Sequence, residues 1–136
     1  MVDASRILRR AVSSTRNVVD LLRTGHLAEP YGAPFAVVDQ GPHHRLREYA
    51  TCADARGPVA LLVPPLMITS EVYDIDAELS AVAALGRLGV RPFVVDFGAP
   101  ENEAGGFTRT LDDHVIAAAA SLERVRALTG RAVHLC

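Results

Sequence analysis

The residues of this chain that are able to do acid–base or nucleophilic chemistry are few and well separated. Asp96 and Cys136 each follow an apolar run, Asp112 and Asp113 open a helical pattern beside His114, and His134 alternates within the last apolar run. A reactive cysteine needs an activating base or a positive environment, and the sequence specifies neither beside Cys136. The paired acids are explained by helix capping and by the helix dipole. Histidines such as His114 and His134 are more often structural than catalytic. We therefore predict no catalytic residue among them.

No cofactor or metal is predicted either. Asp96 ends a strand at the edge where α/β proteins bind ligands, and in a dinucleotide fold such an acid holds a ribose. That function needs a Gly-x-Gly-x-x-Gly turn after the preceding strand, where Val-Pro-Pro-Leu-Met stands instead. Asp96 is therefore interpreted as a carboxylate that anchors its own loop. His43 and His44 are adjacent, so their side chains point in different directions and make a poor metal pair.

Residues 1–29 are predicted to form a separate N-terminal segment, with an amphipathic helix over residues 3–24. Its apolar residues recur at helical spacing and several arginines lie between them. Asp3 is a suitable cap, and Gly25 stands where a helix commonly ends. Two interpretations stay open: the apolar stripe packs on the rest of the fold, or the basic helix makes weak contact with a granule or an anionic membrane surface.

Residues 30–136 are predicted to form one α/β unit. A hairpin at a sheet edge is expected from two short strands at 35–38 and 45–50, separated by Gly41-Pro42. After it, strands and helices alternate, which predicts parallel strands with right-handed crossovers. The expected strands are 59–63, 93–96 and 132–136, and the expected helices are 77–88 and 110–129.

The faces of these two helices follow from their spacing. In the first, Leu79, Val82 and Leu88 are expected to face the core. In the second, Leu111 and Val115 begin a stripe that continues to Val125. The second helix begins at a Thr-x-x-Asp capping box, Thr110 to Asp113, and Gly130 ends it.

Composition limits the possible partners and surroundings. The chain has 136 residues and a formal net charge of -2, so it offers no overall positive field for nucleic acid. Its two cysteines form neither a disulfide framework nor a metal spacing, which favours a reducing, cytoplasmic setting. No apolar run is long enough for a transmembrane span.

Several segments together resemble the polyhydroxyalkanoate synthase family and its depolymerase-like relatives, which are α/β-hydrolase-fold acyltransferases. Val63-Pro-Pro-Leu-Met-Ile68 resembles the family's Val-Pro-Pro-x-Ile-Asn, and Thr110-Leu-Asp-Asp-His-Val115 resembles Thr-Trp-Asp-Asp-Tyr-Ile. Val95-Asp-Phe-Gly-Ala-Pro-Glu101 is similar to Val-Ser-Trp-Arg-Asn-Pro-Asp, and Asp74 falls on an acid of the family. The resemblance covers roughly residues 30–136 and implies an incomplete α/β-hydrolase sheet.

The resemblance also implies where the chemistry would take place. In this fold a backbone N–H after the third strand helps to form the oxyanion hole, and Met67 stands at that position. The nucleophile would follow the strand at 132–136 in a Gly-x-Ser/Cys-x-Gly turn, and no such turn occurs in these residues. The family's nucleophile, acid and histidine would therefore all lie beyond Cys136.

Two functions are weighed from the sequence. In the first, the chain is the N-terminal segment of an acyltransferase or hydrolase acting on hydroxyacyl thioesters or esters, inactive without its missing C-terminal half. In the second, it is a non-catalytic interaction module that forms homo-oligomers through the open strand edge at 132–136, or binds a granule or membrane surface.

Overall fold

The computed structural model of the protein describes residues 32–50, 57–66, 68–103 and 105–136. The predicted helix over residues 3–24 lies outside the described residues, and so does Met67. The N-terminal segment 1–29 and its surface contact therefore stay predictions. Among the described residues, no helix has the length and apolar character needed to cross a membrane.

The centre of the fold is a mixed sheet of five strands in the order β1-β2-β4-β3-β5. Its strands are β1 (Phe35–Gly41), β2 (His44–Tyr49), β3 (Val59–Leu62), β4 (Arg91–Asp96) and β5 (Val133–Leu135). β3 pairs in parallel with both β4 and β5. The hairpin of β1 and β2 is antiparallel, and β2 also runs antiparallel to β4. The predicted α/β class, the hairpin and the parallel strands are thus confirmed.

Two helices cover the sheet, α1 (Ala81–Arg87) on one face and α2 (Leu111–Thr129) on the other. Successive strand residues point to opposite faces, so a strand covered on both sides must be apolar throughout. In β3, Leu61 belongs to the core beside α2, whereas its neighbour Leu62 belongs to the core beside α1. All four residues of β3 are buried, as its continuous apolar run predicts.

α1 begins four residues later than predicted, because the segment before it is held as a turn. Asp76 Oδ1 accepts hydrogen bonds from the N–H groups of Glu78 and Leu79, both at 2.7 Å. Ser80 then caps α1 by accepting a hydrogen bond from the Ala83 N–H at 3.1 Å. Leu79 is consequently outside the helix and 64% exposed, so its predicted place in the core is wrong. Leu88 follows the helix and is exposed as well.

α2 has the predicted cap and a different buried face. Thr110 and Asp113 form the reciprocal capping box, and Gly130 ends the helix in a left-handed conformation. The buried residues are Ala117, Ser121 and Val125. Leu111 and Val115 are 61% and 58% exposed, so their predicted core positions are wrong. Residues of the first turn of α2 line a cleft instead.

Candidate functional site

β3, β4 and β5 all end at one edge of the sheet, because they are parallel. The end of β5 lies directly beside the end of β3: the Cys136 N–H donates to the Leu61 carbonyl at 3.0 Å, and the Val63 N–H donates to the Cys136 carbonyl at 2.9 Å. The loops that follow β3 and β4 therefore lie beside the end of β5. Such an edge is where open α/β sheets bind their ligands.

The chain that follows β3 is fixed at two points. The Tyr73 hydroxyl donates to the Val63 carbonyl, directly after β3, at 2.8 Å. Burial raises the pKa of Tyr73, so this hydroxyl keeps its proton. Asp74, 4% exposed, accepts from the Ala33 N–H and from the Ser80 hydroxyl, both at 2.6 Å. Asp74 is therefore a structural carboxylate that joins the loop to the start of α1 and to the segment before β1.

A cleft of about 400 Å³ lies at this edge, between the loops after β3 and β4 and the first turn of α2. Its size is within the range of small-molecule pockets. Most of its lining is apolar, and the walls include Leu66, Ile68 and Phe107, which are 53%, 48% and 82% exposed. Exposed apolar side chains gathered around a cleft indicate an apolar ligand or partner.

His114 contributes a defined polar group to the cleft. Its Nδ1 lies 2.8 Å from the Thr110 carbonyl oxygen, and its ring meets the edge of Phe97 with centroids 4.7 Å apart. A carbonyl only accepts hydrogen bonds, so Nδ1 carries the proton and Nε2 of the neutral ring is an acceptor. Asp113 is used by the cap: hydrogen bonds from the Thr110 backbone and hydroxyl hold the pKa of Asp113 below its ordinary value.

Asp96 is buried at the end of β4 and surrounded by donors. Its Oδ2 lies 2.6 Å from Arg47 Nη2 and 3.0 Å from Arg45 Nε, and its Oδ1 accepts from the Gly98 N–H at 2.9 Å. Burial alone would raise the pKa of Asp96, but the Gly98 N–H and the two arginines outweigh it and lower that pKa. The bond to Gly98 confirms the predicted loop-anchoring function. The two arginine partners were not predicted.

Arg109 stands where the apolar cleft meets a second, polar pocket of about 60 Å³. Its Nη1 donates to the Phe97 carbonyl. The polar pocket is also lined by His43, His44 and Glu103. Burial lowers the pKa of His44, the nearby Asp39 carboxylate acts against that shift, and His43 adds to it.

The structure thus brings His114 into the cleft and leaves the other candidates apart. His134 is exposed on β5, and Cys136 has an exposed free thiol. Sequence reasoning did not find Arg109, whose only local signal is its place just before the capping box. It also did not find Arg45 and Arg47, whose alternation on β2 indicated no more than a strand.

Comparisons of this chain with models of protein families, with curated proteins and with solved structures gave no match.

Proposed function

We propose that residues 30–136 form the N-terminal half of an α/β-hydrolase-type domain that handles acyl groups. The observation that carries the proposal is the strand order β1-β2-β4-β3-β5, with β2 antiparallel to its neighbours and β3, β4 and β5 parallel. α/β-hydrolase sheets begin with this order and these directions. The resemblance of the segments after β3 and β4 to polyhydroxyalkanoate synthases supports the same assignment.

In this proposal the apolar cleft holds the acyl chain of a hydroxyacyl thioester or ester. The loop after β3 supplies one wall of the cleft, through Leu66 and Ile68. The same loop includes Met67, whose N–H is proposed as an oxyanion donor. The cleft and the oxyanion loop would then lie beside the end of β5, where the nucleophile turn of such a fold follows.

We expect this chain to bind its substrate without converting it to product. No Gly-x-Ser/Cys-x-Gly turn occurs in the 136 residues. Without a nucleophile and its base, only the effects of binding and of the oxyanion hole would act on a substrate. We therefore expect this chain to bind acyl compounds without catalysing their transfer, and to need a C-terminal half for catalysis. The same proposal includes a cytoplasmic location for the protein.

The cleft assignment is tested by titration calorimetry with a stable thioether analogue of 3-hydroxyoctanoyl-N-acetylcysteamine. Ile68→Glu places a charge on the cleft wall and is expected to weaken binding at least tenfold. The matched control is Leu79→Glu, because Leu79 is similarly exposed and does not line the cleft. Equal binding by the two variants, or no binding by the unmodified protein, would contradict the proposed function.

The proposal of a nucleophile after β5 is tested separately on the protein isolated from its natural source. Its intact mass and the sequence that follows Cys136 are read together. A larger mass with a Gly-x-Cys/Ser-x-Gly turn directly after β5 supports the proposal. A native chain of 136 residues that unfolds cooperatively would favour the non-catalytic alternative.

The alternative, an interaction module, is favoured by the second edge of β5. In the described part of the chain, β5 pairs only with β3. Cys136 directs both its N–H and its carbonyl to β3, so the alternation of a strand turns those of Leu135 to the opposite side. Outward-facing N–H and carbonyl groups on an edge strand are a template for pairing with another copy of the chain.

This alternative is tested by light scattering after size-exclusion chromatography. Leu135→Pro removes the outward N–H and keeps the bonds between Cys136 and β3. If the unmodified protein is a dimer through this edge, Leu135→Pro becomes a monomer, whereas Leu135→Ala stays a dimer. A monomeric unmodified protein at high concentration would overturn the alternative.

A further inference from the structure

Three buried nitrogen atoms without hydrogen-bond partners belong to residues that line one small pocket. They are His43 Nδ1, His44 Nε2 and Arg109 Nε, and none has a hydrogen-bond partner among the described residues. All three residues line the polar pocket of about 60 Å³. A buried polar nitrogen without a hydrogen-bond partner costs free energy, so three such atoms around one pocket indicate a missing polar occupant.

Of the two arginines that line the polar pocket, Arg109 has no carboxylate partner among the described residues. Arg45 is paired with both carboxylates of the pocket: it lies 3.0 Å from Asp96 and 2.7 Å from Glu103. Asp39 lies 3.9 Å from His44 Nε2 and is itself 3.6 Å from Arg124. By contrast, no carboxylate of the described residues forms an ion pair with Arg109, which donates instead to the neutral carbonyl of Phe97.

The polar pocket adjoins the apolar cleft. Phe97 and Arg109 line both of them, so the unpaired cation stands at the border of a large apolar space and a small polar one. The polar space of about 60 Å³ has room for about four water-sized groups, at roughly 15 Å³ for each. It therefore suits a carboxylate and is too small for an extended phosphate-bearing group.

We propose that the two spaces together bind an aliphatic carboxylic acid, with its chain in the cleft and its carboxylate against Arg109, His43 and His44. The inference rests on the proposed use of the cleft for acyl chains, and it adds the head group. Arg109 Nε and the two histidine nitrogens donate to the carboxylate oxygens. A free acid is also the product that hydrolysis of an acyl ester or thioester releases, so this site would retain the product of that reaction.

The experiment compares three eight-carbon probes on the full chain by titration calorimetry: octanoate, octan-1-ol and octyl phosphate. We expect octanoate to bind at least tenfold more tightly than either of the others. Arg109→Gln is expected to weaken octanoate binding about tenfold and to leave octan-1-ol binding unchanged. Arg109→Lys keeps the cation and should retain part of the preference. Arg131→Gln, which changes an exposed arginine outside the pocket, is the control.

The outcomes distinguish a failure of the carboxylate site from a failure of the proposed acyl cleft. Equal binding of octanoate and octan-1-ol, or an equal loss of both in Arg109→Gln, would overturn the carboxylate site and leave the acyl cleft in place. Tighter binding of octyl phosphate would also overturn it. If no probe binds, both the inference and the proposed cleft fail. Melting temperatures of the variants, measured beforehand, verify that each remains folded.

Discussion

Arg47 and Asp96 join the antiparallel and the parallel parts of the sheet through an ion pair whose carboxylate is buried. Arg47 Nη2 and Asp96 Oδ2 are 2.6 Å apart, and the two side chains are 15% and 2% exposed. Arg47 belongs to β2 and Asp96 ends β4, so the ion pair links the hairpin to the parallel strands. Because Asp96 also holds the Gly98 N–H, the same carboxylate fixes the loop that forms one wall of the cleft.

Asp96→Asn is expected to destabilise the protein by about 2 kcal/mol, because it removes the charge from a buried carboxylate that binds Arg47 at 2.6 Å and Arg45 at 3.0 Å. Urea denaturation followed by circular dichroism measures the change. The control is Glu123→Gln, which removes the exposed pair with Arg126 and should change the free energy of unfolding by less than about 0.5 kcal/mol. Similar losses for both variants would show that the Asp96 network is not a principal stabilising contact.

Stability is expected to fall as the pH drops below 6.5, the ordinary pKa of histidine, in part through His44. The folded protein lowers the pKa of His44, so the unfolded chain binds a proton there before the folded chain does. Asp39, His43 and Arg45 are the charged or titratable groups nearest to it on the hairpin, with Glu103 and Arg109 facing it from the loop after β4. His44→Asn should flatten the slope by at most about 1.4 kcal/mol per pH unit, the contribution of one proton.

The measurement is a series of urea denaturation curves between pH 7.5 and pH 5.0. His134→Asn, which replaces an exposed histidine of β5, is the control. An unchanged slope in His44→Asn would mean that other groups cause any acid destabilisation.

Thr110→Ala is expected to lower the free energy of unfolding by about 1 kcal/mol, the usual value of a helix N-cap. The threonine hydroxyl accepts from the Asp113 N–H, and Asp113 in turn accepts from the Thr110 N–H at 2.8 Å. Thr69→Ala is the matched control, because Thr69 precedes a short helical turn without a side-chain cap. Thermal denaturation of both variants makes the comparison, and equal losses would contradict the capping argument.

Gly106→Ala is expected to destabilise the loop after β4 by about 2 kcal/mol, as overpacking commonly does. A Cβ at Gly106 would lie 2.1 Å from the carbonyl oxygen of Pro100, a backbone atom that cannot turn away. At Gly32 a Cβ meets nothing within 4 Å, so Gly32→Ala should stay within about 0.5 kcal/mol of the unmodified protein. Urea denaturation decides between the two, and a tolerated Gly106→Ala would show that the loop adjusts.

Local signals in the sequence predicted the elements well where the cause is itself local. The capping box at Thr110, the end of α2 at Gly130 and the buried strand β3 depend on residues a few positions apart, and all three are confirmed. Leu79 was misplaced because the Asp76 turn delays the start of α1, and Leu111 because its exposure depends on where α2 lies against the sheet. Helical spacing identifies an apolar stripe, but it does not show which residues of the stripe are buried.

The site was largely beyond sequence reasoning for a related reason. Arg45 and Asp96 are separated by 51 positions in the sequence. Arg109 lines the same polar pocket as the hairpin residues only because β2 lies beside β4. The sequence predicted a hairpin and a set of parallel strands, but not which strand the hairpin would join. That single pairing creates both the arginine partners of Asp96 and the polar pocket.

The place of β4 between β2 and β3 also sets the order in which the chain assembles. β2 is complete at Tyr49, but its partner β4 begins only at Arg91. On a ribosome the hairpin must therefore wait for its partner strand until Asp96 has been synthesised. Closing so long a loop makes this pairing a late and slow event, so we expect sheet formation, not helix formation, to limit the folding rate.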